Sequence, residues 1–274
     1  MSALWRGTIM KFHFAAIEIG GYKSFTIERL DVYNPKFLLG SFYYLNKMSE
    51  KDLTTYFNYV NSKKCESFIL DSGAFSMIML ERNGKKQNVD LEKYIAEYIA
   101  FIKKWKIKRY IELDIDSVIG YDKVKEIRNK LEKETGVKSM PVFHNKYRTK
   151  KDLDEIIKNY DYICIANYNL QKTGTNTIKN IKNFVLYCNS KGIKVHGLAL
   201  TGKEITEEVP FYSVDSSSYR KTLRFGGYSI FDNEHKKMVS YNTENRLTKK
   251  GIKFYFTKTF NEWKKYQKYL EEKI

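Results

Sequence analysis

Short apolar runs that end on a polar residue alternate along this chain with longer stretches whose apolar positions recur every three or four residues. The short runs predict strands at 37–42, 67–71, 109–114, 140–144, 162–166, 194–200 and 211–215. An eighth falls on Tyr228–Phe231 or on Ile252–Phe256. The periodic stretches predict helices. Leu91, Tyr94, Ile95, Tyr98, Ile99, Ile102 and Trp105 share one stripe, with Asp90 placed to cap it. Val124, Ile127 and Leu131 repeat the spacing, as do Leu153, Ile156, Ile157 and Tyr160. Ile178, Ile181, Val185 and Cys188 do so again, with Gly192 as a stop.

Strands alternating with helices imply a parallel sheet. The expected fold is α/β, a (β/α)8 TIM barrel in one domain, with an open doubly wound sheet as the alternative. Residues 1–35 read differently: Phe12–Ile19 and Ser24–Val32 flank Gly20 and Gly21 as an N-terminal β-hairpin. The barrel is then expected over 36–258 and a closing C-terminal helix over 259–274, marked by Trp263, Tyr266 and Leu270.

Composition narrows the class. The 274 residues are 42% hydrophobic and 30% charged, a globular balance, and the length suits one barrel of ~250 residues. No apolar run approaches the ~18 residues of a membrane span, and Met1–Met10 does not read as a signal peptide, so a cytoplasmic protein is expected. Cys65, Cys164 and Cys188 are scattered, which argues against a disulfide framework and against a zinc site built on cysteines. The net charge of +17 points to a polyanionic partner, nucleic acid first. The competing explanation is a lysine-rich genome that decorates every surface.

In a barrel the C-terminal strand ends form the active-site rim. Several acids and histidines of this chain fall there: Asp71, then Glu112, Asp114 and Asp116 at period two, His144, Asn167 and Asp215, with His196 inside a strand. Each alone is as well explained as a turn residue. Ser72 and Gly73 after Asp71 would let backbone approach a flat ligand. Arg220, Lys221 and Arg224, after Asp215, could grip a phosphodiester or line a solvated loop. His144 with Asp114 and Asp116 is the one mixed metal set worth weighing; no metal and no cofactor are expected. Phosphate-loop, dinucleotide and nucleophile-elbow motifs are missing from the sequence, which leaves carboxylate chemistry.

In order, these segments resemble the tRNA-guanine transglycosylase superfamily, over roughly residues 37–225. Leu70-Asp71-Ser72-Gly73-Ala74-Phe75-Ser76 resembles the Asp-Ser-Gly-Ala-Phe segment of its DNA-modifying branch, the DNA-guanine transglycosylases of phages and bacterial islands. Ser213–Tyr219 resembles the strand that bears the nucleophile, and Gly197-Leu198-Ala199-Leu200-Thr201-Gly202 the Gly-rich strand end. Glu112–Asp116 and Pro141–His144 fall where the family reads its base. No cysteine follows Cys188, so the three-cysteine zinc subdomain that supports tRNA docking in the tRNA enzymes has no counterpart.

The resemblance implies an exchange of guanine in DNA for a 7-deazaguanine of preQ0 type, through a covalent glycosyl intermediate. Asp215 would be the nucleophile and Asp71 the proton carrier. Ser72, Gly73, Asp114, Asp116, His144, Asn167, His196, Gly197 and Leu198 would bind the base. DNA and the deazaguanine are the implied partners. The alternatives are a zinc-free enzyme acting on tRNA, a non-catalytic nucleic-acid-binding barrel, and a barrel enzyme for a phosphorylated metabolite, for which only Gly226-Gly227 speaks.

Overall fold

The structure, a computed structural model, describes residues 9–19, 23–74, 76, 90–144, 148–166, 175–243 and 248–273. Its centre is a curled sheet of seven parallel strands: β1 (Lys11–Ala15), β2 (Phe37–Ser41), β3 (Ser67–Asp71), β4 (Val142–Phe143), β5 (Tyr162–Ala166), β6 (Lys194–Leu198) and β7 (Ser213–Ser216). They lie in the order β3-β2-β1-β7-β6-β5-β4, with helices outside, a TIM-barrel-like arrangement. The expected (β/α)8 barrel is not completed. Between the edge strands β3 and β4, residues 109–112 make only isolated pairings, Leu70 with Tyr110 and Ile111 with Met140. The amide of Ile111 donates to the Leu70 carbonyl at 2.8 Å and that of Met140 to Tyr110 at 2.7 Å. The ladder stops because the chain turns at once: Ile115 bonds back to Leu113 and a helix begins at Asp116.

The expected N-terminal hairpin is wrong. Residues 11–15 form an interior strand of the sheet, parallel to β2 and β7, and a helix follows at Lys23–Glu28. Both faces of β1 are buried although Lys11, Phe12, His13 and Phe14 alternate as a half-exposed strand would, which is why the pattern reads as one arm of a hairpin. Phe12 and Phe14 face outward onto the C-terminal helix, against Trp263 at 5.7 Å and Phe260 at 4.4 Å between ring centroids. Alternate residues face inward. Ala15, Leu39, Ile69, Ile111, Met140, Val142 and Cys164 fill the inside of the curl, while a larger apolar layer joins sheet to helices.

The eighth strand is also misplaced by the pattern. Gly227–Asp232 (β8) pairs antiparallel with Lys237–Asn242 (β9) in a separate hairpin, and 252–256 lies inside a helix. That helix, Lys249–Glu272, begins ten residues before its expected start at 259 and packs over both β1 and β8. The other helices follow their stripes. Asp90 caps Leu91–Lys104 by accepting from the Lys93 amide, and Thr149 and Asp152 form a reciprocal cap on Lys150–Asn159. Among the described residues no helix is long and apolar enough to cross a membrane.

Candidate active site

Asp71 closes β3, and Asp215 lies in β7 beside His13 of β1. The two come from opposite halves of the sequence, yet the charge of Asp215 is felt at Asp71 across the sheet's rim. The Gly73 amide donates to Asp71 Oδ2 at 3.0 Å. That contact needs the turn at Gly73, whose φ of 69° places it where a side chain is disfavoured. A Cβ there would also come within 2.4 Å of the Tyr43 side chain. Ser72 is buried, its carbonyl accepting from the Tyr94 hydroxyl at 2.6 Å. Burial pushes the Asp71 carboxyl up to about 7; the Gly73 amide pulls it back, and the charges of Asp215 and Asp114 add to the rise.

A second carboxyl stands beside it that sequence reasoning missed. Glu18, three residues beyond β1, is 1% exposed. Its Oε1 accepts from the Ser41 amide at 2.8 Å, and its Oε2 has no hydrogen-bond partner among the described residues. Burial raises it to about 7, opposed by Ser41 and by the charge of Arg220. No motif flags it; the only signal was an acid just past a strand that the pattern had not assigned to the sheet.

Asp215 is held differently. Its Oδ1 accepts from the Ala199 amide at 2.9 Å and faces His196 Nε2 at 3.2 Å. Ala199 reaches this position with φ at 55°, a left-handed conformation that is unfavourable for a residue with a Cβ. The other ring nitrogen of His196 bonds the Ser213 hydroxyl, which also bonds the Tyr162 hydroxyl. A carboxylate next to Nε2 assigns the proton to that nitrogen, with Nδ1 accepting from Ser213. The result is a buried line Tyr162–Ser213–His196–Asp215 that fixes one carboxylate oxygen and leaves Oδ2 without a bond from the described residues. Gly197 and Leu198, expected to touch a ligand, have packing roles here. A Cβ on Gly197 would meet the Phe211 ring at 3.0 Å, and Leu198 packs against the inner apolar cluster.

The third group lies on the stretch that bridges β3 and β4. His144 Nε2 hydrogen-bonds Asp114 Oδ1 and stands 3.7 Å from Asp116 Oδ1. Burial opposes protonation of His144, but the hydrogen bond and charge of Asp114, with the charge of Asp116, raise its pKa above the ordinary value. Behind them Arg148 pairs with Asp116 at 3.2 Å and lies flat on the Tyr121 ring at 3.8 Å. The fully buried Glu112 takes 2.6 Å and 2.7 Å bonds from Arg128 and the Val142 amide. Asp114, Asp116 and His144 each offer a ligand atom within 4.8 Å of the others, spacing that a metal ion would accept. Their atoms are already joined in a hydrogen bond and an ion pair with Arg148.

The expected phosphate-gripping residues divide. Arg220 turns inward, donating to the carbonyls of Ala16 and Ile17, so it braces the end of β1. Lys221 is exposed on the short helix Lys221–Arg224; the Arg224 side chain and Asn167 lie outside the described residues.

No family model matches the sequence, and no curated protein matches it. Solved structures similar to it include an aldolase and an epimerase. QR15, an aldolase, is 12% identical with a TM-score of 0.44, over 80% of this chain and 93% of its own. A D-allulose 3-epimerase from Methylomonas sp., solved with D-allulose, is 10% identical with a TM-score of 0.42, over 76% and 83%. Likeness of that degree leaves reaction and substrate to the residues themselves.

Proposed function

We propose that this chain is a transglycosylase that exchanges guanine in DNA for a 7-deazaguanine base through a covalent Asp215–glycosyl intermediate. One observation carries the reading: two carboxyl groups from distant strands share a rim, Asp215 held by two donors with a free oxygen and Asp71 raised to about 7. A carboxylate nucleophile paired with a carboxyl that titrates near neutrality suits an oxocarbenium-like transition state at a sugar carbon.

In this reading Asp215 Oδ2 attacks the anomeric carbon as the bond to guanine breaks. Protonated Asp71 gives its proton to the departing base. The incoming deazaguanine then displaces Asp215 and returns a proton to Asp71, which restores both groups. The line through His196, Ser213 and Tyr162 keeps the nucleophile aimed. Asp114 and Asp116, with His144, offer acceptors and a donor on the same rim for the edge of a purine. The absence of a three-cysteine set after Cys188 favours DNA over tRNA as substrate.

The test is exchange of radiolabelled guanine into duplex DNA, single-stranded DNA and tRNA, with denaturing gels to trap the adduct. Exchange into DNA that is lost in Asp215→Asn supports the reading. Exchange into tRNA alone moves the substrate, and binding without turnover on any substrate sinks the enzymatic reading.

A further inference from the structure

The chain's exposed large aromatic side chains, among the described residues, gather in one region. Phe225 is 76% exposed, Phe254 63% and Tyr241 45%. The other exposed large hydrophobic residues are aliphatic and lie elsewhere in the chain. Tyr241 of β9 stacks on Tyr228 of β8 at 5.5 Å, and Tyr228 stacks on Tyr255 of the C-terminal helix at 5.1 Å, beside Phe254. Lys258 lies over Tyr228 at 4.3 Å. Phe225 precedes Gly226, whose carbonyl accepts from the Thr243 amide and so ties it to the end of β9. The result is a ladder of rings across a hairpin and a helix, held in place by their mutual packing.

The charge around the ladder is mainly positive. Residues 221–243 and 248–258 carry eight Lys or Arg against two acids, Asp232 and Glu234, at the hairpin's turn. The opposite end of the same hairpin borders the strand ends. A cleft of about 270 Å³ lies there, between Lys237 and Met238 of β9, Trp263 and Tyr266 of the C-terminal helix, and the residues that follow β6 and β7, among them Thr201 and Ser218. Thr201 lies two residues after Ala199, which holds Asp215, and Ser218 three residues after Asp215 itself. Flat apolar faces with cations between them suit unpaired bases joined by phosphates: each base offers a π face, and each phosphate a charge. Duplex DNA, with its bases stacked inside, would leave the rings uncovered.

We propose that the β8–β9 hairpin and the first turns of the C-terminal helix form a platform for single-stranded DNA, which holds the strand next to the target nucleotide. The platform rests on the proposed function for its role beside Asp215 and for the choice of DNA over RNA; the binding is measured separately. It also implies that the enzyme acts where the duplex is open, so that the cost of exposing the target is met before binding.

The test is fluorescence anisotropy with a labelled 15-nucleotide single strand, its duplex, and an RNA of the same sequence, at two salt concentrations. The wild type should bind the DNA single strand more tightly than either competitor. Phe225→Ala with Phe254→Ala should weaken that binding by about tenfold or more with the salt dependence unchanged. Lys250→Glu with Lys258→Glu should weaken it and flatten the salt dependence. Circular dichroism and thermal melting of each variant confirm the fold. Unaltered affinity in the aromatic variant, equal or tighter binding of duplex or RNA, or a wild-type dimer that the aromatic substitutions dissociate would each overturn the proposal. Asp215→Asn separates the two claims, because it should lose exchange and still bind the strand. Binding without exchange in the wild type removes the transglycosylase and leaves the platform. Exchange with unaltered binding in the aromatic variant does the reverse.

Discussion

Two regions of the same rim collect carboxylates and treat them in opposite ways. On the β4 side, Glu112 and Asp116 face Arg128 and Arg148, and Asp114 faces His144, so each negative charge meets a positive partner. On the β1–β3 side, amides bond Asp71 and Glu18, and Arg220, whose charge reaches Glu18, is itself turned to the carbonyls of Ala16 and Ile17. The residue type is the same; the counter-charge differs. Burial raises Glu112 as well, but Arg128 and Arg148 pull it back, so the β4 side offers fixed acceptors, useful for recognition. Uncompensated carboxylates are pushed into the range where a proton can come and go near neutral pH.

Four measurements would break or sharpen this contrast. The largest effect is expected at the pair proposed to react. Asp215→Asn should lower the exchange rate roughly 10⁴-fold or more, and Asp71→Asn about 10²- to 10⁴-fold, with the fold intact by circular dichroism. Full activity in either variant would remove that residue from the chemistry. Next comes the compensated side. Arg128→Met strands Glu112 in the core and should cost about 3–5 kcal/mol in urea unfolding. A loss below about 1 kcal/mol would class that pair with ordinary surface ion pairs.

Glu18→Gln tests the opposite sign. The folded carboxyl titrates at about 7 and the free one near 4.5. Between those values the native chain holds the extra proton, so wild-type stability falls as pH rises through this window. Glutamine has no proton to lose. Its advantage should therefore be nil at pH 4.5 and full above pH 7, on the order of 3 kcal/mol, and melting curves at the two pH values would show it. The same advantage at both would mean that the carboxyl is not the source. The smallest effect belongs to recognition. Asp114→Asn should raise KM for the incoming base about ten- to a hundredfold and change kcat less. A loss confined to kcat would move Asp114 from recognition to catalysis.

Much of the scaffold was legible because buried stripes and strand ends obey simple periods. The helix at Leu91–Lys104 and the strands ending at Asp71 and Ala166 lie where the pattern puts them. β1 was legible as a strand but not as part of the barrel sheet, since no local pattern says that its partners are β2 and β7 and not a neighbouring hairpin arm. The hairpin was half legible: Tyr228–Phe231 is a strand, but no local pattern says that its partner is Lys237–Asn242 and not the barrel. Asp71 and Asp215 could be singled out through their neighbours in sequence. Their surroundings could not, because Glu18, Arg148 and the Tyr162–Ser213 line reach the rim through tertiary contacts alone. Arg128 did leave a trace. It sits at helical spacing within the stripe of Val124, Ile127 and Leu131, and a cation on an apolar stripe calls for a buried acid.

Ala199 carries a trade-off between durability and speed. Its left-handed backbone costs the fold a little, and that same turn delivers the amide that aims Asp215. A glycine would relieve the tension and let the donor wander. Selection for heat resistance alone would welcome the exchange, whereas selection for turnover would resist it, so position 199 is where these two demands on the molecule can be told apart.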